Sequence, residues 1–269
     1  MSINIEVINH ENHPYYDRLA DAINEQLLLK DGYLSLGMKK DHQPIGLLIA
    51  EVSGDKAVIL FMKVQSEQEE QLLSAFVQVL EKVLNTNQVK YLFCFHPNTE
   101  ILNEAFQLAN WTSSINQYEY VITAKPPKKY SLPLPFQIEE CSRSKLEQLY
   151  EKEIFSQDAL PPIEVVNTAT SYLLIENDQP IGWFITVIQP HSNVLSVARF
   201  YMEKEYRDVK ITIPFFNNAL YHSYKKTPYD TIFGNVAASH KKAIKIIDKG
   251  YLGNVKEKRA VIRSYKIMG

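Results

Sequence analysis

Few residues in this chain are placed to do chemistry, and their settings differ. Arg199 stands inside the apolar run "VLSVARFYM", where a charged side chain has to be paired or has to line a pocket. His240 opens the periodic segment "SHKKAIKIIDKG", where it reads as an acid or base near neutral pH or as a helix cap or surface residue. Trp183 directly follows Gly182 and faces either the core or a substrate groove. "EYRDVK", residues 205–210, puts Arg207, Asp208 and Lys210 at the start of a helical segment, as a charged, solvated helix end would. Cys94, in "YLFCF", reads as a small buried hydrophobe. With Cys141 it makes two cysteines, too few for a disulfide framework and not spaced as a metal site. His10 and His13 lie too close to the terminus to rate as metal ligands, and no nucleophile elbow, P-loop or zinc spacing occurs, so no metal is expected. Nine glycines is a low count for a chain that would cradle phosphate on its backbone.

The elements that must position these residues fall into two similar series. "INIEVI" alternates as a strand, and 14–29 carries Leu19, Ile23 and Leu27 on one helix face. "GYLSLGMKK" and "PIGLLIAEV" are strands, "SGDK" is a hairpin turn, and "AVILFMKV" is a buried strand. A helix over 67–84, the strand "VKYLFCF", a helix begun at Asn98 or Thr99 and the strand "QYEYVI" complete the first series. The second runs "FQIEE", a helix in "SRSKLEQLYEKEIF", a short, partly helical "PPIEVVNTA", then "SYLLIEN", "PIGWFITVI" and "VLSVARFYM" as strands. It closes with a helix over 209–225, the strand "DTIFGNVA", a helix in "SHKKAIKIIDKG" and a strand in "RAVIRSYKI". Phe215, Phe216, Tyr221 and Tyr224 are spaced as a packing face of the 209–225 helix. "HQPIGLLIA" (42–50) and "DQPIGWFIT" (178–186) echo each other at the third strand of each series, roughly half the chain apart. The chain reads as a duplication.

Between the series, "AKPPKKYSLPLPF" (124–136) carries four prolines and three lysines and reads as an extended, semi-rigid linker. Two domains of ordinary size are expected, 1–125 and 137–269, joined through 126–136. A formal net charge of −2 gives no electrostatic case for nucleic acid or an anionic membrane as main partner. The N-terminus lacks a signal-peptide pattern and no run is long enough to span a bilayer, so a cytoplasmic location is expected. The oligomeric state stays open.

The order of elements, with a long helix after the third of three consecutive antiparallel strands, resembles the GNAT superfamily, the Gcn5-related N-acyltransferases. "ARFYMEKEYRDVKITIPFFNNAL" (198–220) sits where that family has a strand, a turn ending in Arg or Gln, a glycine-rich loop and a helix. "DTIFGNVAASHKKAIKIIDKGYL" (230–252) is similar to its fifth strand, an Asn-led helix and a closing Gly-aromatic pair, here Gly250-Tyr251. The resemblance implies an α/β (α+β) fold of two tandem GNAT-like domains, each a mixed, mostly antiparallel sheet flanked by helices.

The same resemblance implies a pyrophosphate site on Arg207, Lys210 and the amides of Asp208, Val209, Lys210, Ile211 and Thr212, since a helix start leaves about four N–H groups unpaired. Thr212 is small where the family's last small residue belongs; Lys210 replaces its middle glycine. Tyr201 and Met202 would hold the pantetheine and thioester at a fourth-strand bulge, and Ser239 or His240 stands for the helix-opening Asn. The family's proton-donating tyrosine falls on Ile246 or Ile247, which leaves Tyr201, His240 and Tyr251 as candidates for proton traffic. In the first half the equivalent loop, "VQSEQEEQLL" (64–73), has three glutamates and no basic residue, and would repel a pyrophosphate. The implied activity is N-acyl transfer from acetyl-CoA or another acyl-CoA to an amine on a small molecule, peptide or protein, with the first half degenerate and the acceptor between the halves. Aminoacyl transfer and a non-catalytic binding or regulatory module are the alternatives.

Overall fold

The computed structural model describes residues 3–20, 26–65, 68–151, 161, 163–188 and 193–268. Its contacts divide the chain into two compact units, residues 1–117 with 259–269 and residues 118–258. Unit 1 holds β1 (Ile3–Val7), β2 (Tyr33–Lys40), β3 (Gln43–Ser53), β4 (Lys56–Val64), α1 (Glu69–Asn85), β5 (Tyr91–Pro97), α2 (Glu100–Leu108) and the first part of β6 (Thr112–Ala124). Unit 2 holds the rest of β6, then β7 (Gln137–Glu140), α3 (Arg143–Glu151), β8 (Tyr172–Glu176), β9 (Gln179–Val187) and β10 (Val194–Met202). It continues with α4 (Val209–Lys226), β11 (Thr231–Ala237), α5 (Lys241–Asp248) and the start of β12 (Gly253–Ile267). Each unit is a mixed, mostly antiparallel sheet flanked by helices.

The expected helix over 14–29 is not one helix. Its described part consists of 3₁₀ turns at His13–Tyr15 and Asp17–Leu19 and a turn over 26–29; residues 21–25 lie outside the described residues. Tyr16, Leu19 and Leu28 still reach the core, packing on Leu47 and Ile49. The opposite sheet face of unit 1 buries Leu36, Leu48 and Leu92 under Phe76, Leu80 and Phe106 of the two helices. In unit 2, Phe215, Ala219 and Leu220 of α4 cover Leu174, Phe184 and Ile232, and Leu146 and Leu149 of α3 cover Leu173, Trp183 and Ile185.

The repeated Gln-Pro-Ile-Gly has a physical role in both units. It follows a two-residue turn whose residues both take positive φ, Asp41 and His42 in one case and Asn177 and Asp178 in the other. A Cβ on Gly46 would stand 2.7 Å from Phe76 and 3.1 Å from Val64. On Gly182 it would stand 2.6 Å from Met202 Sδ, 3.0 Å from the Tyr201 carbonyl and 3.5 Å from Phe215. In each unit the glycine therefore clears room for the last residue of the fourth strand, and in unit 1 for Phe76 of the following helix as well.

The closing strands depart from the sequence expectation. β5 is paired on its second side by β12, from Val261↔Pro97 to Ile267↔Tyr91, whereas β11 has β6 on its second side. Each half was expected to end on its own strand, so a division at residue 125 with a second domain running to 269 separates residues that pack together. Residues 118–125 belong with unit 2 and 259–269 with unit 1. The Pro/Lys segment has no regular secondary structure, turns at 134–135, and is fastened to α4 of unit 2. The Tyr130 amide donates to Asn218 Oδ1 at 2.7 Å, and Asn218 Nδ2 donates to the Tyr130 carbonyl at 2.8 Å.

Candidate active site

β10 and β11 are parallel neighbours for only four residue pairs, Val194↔Thr231 to Val197↔Gly234. At that point β10 shifts register against β9, between Val197 and Arg199, which leaves Ala198 as a bulge. A bulge bends its strand and increases its twist. Beyond it β10 follows β9, with Arg199 to Met202 opposite Ile185 to Gly182, and has no further register with β11. The result is a parting of the two parallel strands just past Val197 and Gly234. Unit 1 has the same device: β4 and β5 pair from Lys56↔Tyr91 to Ile59↔Cys94, and Leu60 is the bulge.

The bulge lies three residues earlier than the sequence reading placed it. Tyr201 and Met202 stand in regular register with Trp183 and Gly182, so their backbone is not the bulge; the amides at the apex are those near Ala198 and Arg199. Trp183 is core, 2% exposed and stacked on Tyr201 at 4.2 Å between ring centroids. Arg199 shares that face of the sheet, half-buried, and its burial holds the guanidinium below its ordinary value. Cys94 and Cys141 are both buried free thiols, each pushed up to about 12 by burial.

At the tip of α4 the cradle expected for a pyrophosphate is largely self-satisfied. Asp208 is the N-cap, and its carboxylate accepts from the Lys210 amide at 2.7 Å. The Asp208 carbonyl accepts from the amides of Ile211 and Thr212 at 3.1 and 2.8 Å. Arg207 turns back: its Nε donates to the Met202 carbonyl at 2.8 Å and its guanidinium lies 5.4 Å from the Tyr201 ring centre. Lys210 and Val209 are exposed, and Thr212 Oγ1 is buried without a partner among the described residues. An anion binding here meets Lys210 and the Val209 amide, but it must displace or tolerate the Asp208 carboxylate. In unit 1 the α1 tip carries Glu69 and Glu70 and no side-chain cap, with residues 66 and 67 outside the described residues.

Tyr201, His240 and Tyr251 are not brought together. Tyr201 packs on the α3 side of the unit 2 sheet, while Tyr251 accepts a 2.8 Å hydrogen bond from Asn217 of α4, on the other side. His240 is exposed at the start of α5 and makes no side-chain cap bond; Ser239 beside it is exposed too. Tyr251 follows the far end of that helix, about 12 Å away at 1.5 Å per residue over its eight residues. Ile246 is 41% exposed and Ile247 packs against the core, and neither can move a proton. The expected aromatic face is present in Phe215, Phe216 and Tyr224; Tyr221 instead packs edge-on to His222.

Three features were missed in the sequence. The Ala198 bulge has no side-chain signature. Gly234, at the last parallel pair, stands in an ordinary strand pattern. Asn217, 7% exposed, did carry a signal: a polar residue on the apolar face of "PFFNNAL". Among the described residues no group of three or more His, Cys, Asp or Glu is placed to hold a metal ion, and no helix is long and apolar enough to cross a membrane.

This architecture of two units, each with parallel strands parting at a bulge, is the tandem GNAT fold. A tandem GNAT protein from the clavulanic acid biosynthesis pathway matches with a TM-score of 0.64 at 8% identity, over 100% of this chain and 99% of that one. A GCN5-related N-acetyltransferase from Sphaerobacter thermophilus matches at 0.62 and 12% identity, over 99% and 96%. One from Anabaena variabilis matches at 0.61 and 10%, over 100% of this chain and 73% of that one. No protein-family model matches the chain, and no curated protein does.

Proposed function

We propose that unit 2 binds an acyl-CoA, acetyl-CoA in the first instance, in the opening between β10 and β11, and that the acyl group passes to an amine of a small molecule, peptide or protein. The observation that carries this reading is the four-residue parallel pair that ends in a bulge at Ala198. The backbone amides of Ala198 and Arg199, at that bulge, are the groups this reading assigns to polarise the thioester oxygen. The amine attacks the thioester carbon and the oxygen takes up charge against those amides; as the tetrahedral adduct collapses the C–S bond breaks, and the proton shed by the nitrogen passes through solvent to the departing thiolate. Lys210 and the Val209 amide are the groups left to meet the diphosphate; Arg207 positions the end of β10 and contributes positive charge. Unit 1, with two glutamates at the matching helix tip, serves as a structural partner without cofactor.

A second reading, ligand binding without transfer, is favoured by the Asp208 carboxylate at the α4 tip and by isoleucine at 246 and 247. Thermal melting with acetyl-CoA tests both. At about 100 times its dissociation constant a ligand stabilises the fold by about 2.7 kcal/mol, and Arg207→Ala is expected to abolish that shift. Stabilisation without amine-dependent release of free thiol supports the second reading; no shift at millimolar acetyl-CoA contradicts both.

A further inference from the structure

Under the Pro/Lys segment of unit 2 lies a pocket of ≈ 190 Å³, lined on β11 by Ile232, two residues before the last parallel pair at Gly234. Its apolar lining comes from Pro126, Pro127, Leu220, Ile232 and Leu252. Asn217 is set in its wall, nine-tenths buried, and its Nδ2 donates to the Ile213 carbonyl and to Tyr251 Oη, each at 2.8 Å. Its Oδ1 has no protein partner among the described residues. It is not among the buried atoms left without a partner, so it can accept an N–H or O–H from a ligand in place of water. Tyr251 Oη accepts the Asn217 bond and is hydrogen-bonded to the Tyr130 side chain as well.

The rim is basic. Lys125 reaches only a neutral carbonyl, that of Gly250 at 2.7 Å, and Lys128 is exposed with no carboxylate on it among the described residues. No acidic residue lines the pocket. Two ammonium groups beside a cavity lined by Leu220, Ile232 and Leu252 together with Tyr130, Tyr229 and Tyr251 call for an anion on a ring that carries a further polar substituent. The space exceeds the about 150 Å³ that accommodates a benzene ring, and leaves little beyond one ring and its substituents. Asn217 is the ninth residue of α4, about 12 Å along the helix from its tip, so the pocket does not share the groups proposed for the diphosphate.

We infer that this pocket is a second ligand site, taking a small aromatic carboxylate whose ring lies against Leu220 and Ile232, whose acid faces Lys125 and Lys128, and whose ring hydroxyl or amino group donates to Asn217. The inference stands independently of the acyl-CoA reading. The segment that roofs the pocket is held by the paired bonds between Tyr130 and Asn218, so ligand occupancy and the seating of 125–130 are linked.

Calorimetric titration of the full chain with para-hydroxybenzoate tests it, with benzoate and para-hydroxybenzyl alcohol as controls. Saturable binding is expected, weakened several-fold in Lys125→Gln and in Lys128→Gln, exposed substitutions that leave the fold intact. The alcohol is expected to bind at least about tenfold more weakly, the change that 1.4 kcal/mol produces. Asn217→Leu is expected to erase the preference for para-hydroxybenzoate over benzoate, and Arg207→Ala to leave binding unchanged. No saturable binding up to about 10 mM, far weaker than a millimolar affinity, overturns the inference. So does binding that neither lysine substitution alters, or an alcohol that binds as tightly as the acid.

Discussion

Gly46 and Gly182 are set apart by what a methyl group would do at each. Against Gly46 it would run into the fully buried Phe76 ring, and against Gly182 into the Tyr201 carbonyl as well as Met202. Overpacking of this kind typically costs 1–3 kcal/mol, so Gly46→Ala and Gly182→Ala are each expected to lower the urea midpoint by a corresponding amount; a wild-type midpoint in both contradicts the shared role. Asp208 invites a two-sided test. Asp208→Ala removes an N-cap worth about 1 kcal/mol yet clears a carboxylate from the proposed anion site, so the variant is expected to melt lower and to gain more from acetyl-CoA. His96 gives a pH prediction. Its Nδ1–H donates to the Pro97 carbonyl at 2.9 Å and its Nε2 accepts from Ser264 Oγ at 2.8 Å, with burial holding the imidazole below its ordinary 6.5. A histidine depressed in the folded state contributes stability that is complete above its unfolded value and lost as pH falls through its folded one. Melting temperature is therefore expected to fall as pH drops below about 6.5, and His96→Asn is expected to flatten that fall.

At the scale of elements, α4 and the segment that crosses it are held by side chains that a strand or helix pattern does not reveal. Asn218 makes two bonds to the backbone of Tyr130, and Asn218→Ala is expected to speed hydrogen exchange at the Tyr130 amide while the amides of β9 keep their protection. Equal protection in the variant contradicts the fastening. Most elements were legible in the sequence because one buried face suffices to show a period: α1 and α4 were placed within about two residues, a normal margin for helix ends. The 3₁₀ turns at 13–19 were hidden because Leu19 and Leu27, spaced as one helix face, both pack on the core, while the local backbone is not one helix. The bulge at Ala198 was hidden for the opposite reason: it lives in register, which depends on the partner strand and not on the residue itself.

At the scale of the whole molecule, duplication was legible in the Gln-Pro-Ile-Gly echo and its flanking turns, whereas the exchange of closing strands was not. Nothing in "RAVIRSYKI" says that its partner is Tyr91–Pro97, since pairing across that distance leaves no local pattern. Deleting residues 259–269 is expected to destabilise unit 1 selectively. Cys94 provides the readout: opposite Ser264 and 5% exposed, its thiol is expected to turn reactive toward a thiol reagent in the truncated chain, with Cys141 of unit 2 staying protected. Equal reactivity of the two contradicts the assignment of the last strand.

The claim on which the functional account depends is that the parting of β10 and β11 is a thioester site. A crystal structure of the chain with acetyl-CoA tests it most directly. The account predicts density for the thioester between the two strands just past Val197 and Gly234, its carbonyl oxygen within hydrogen-bond reach of the amides at Ala198 or Arg199. Density for acetyl-CoA elsewhere, with that opening filled by protein side chains, would contradict it.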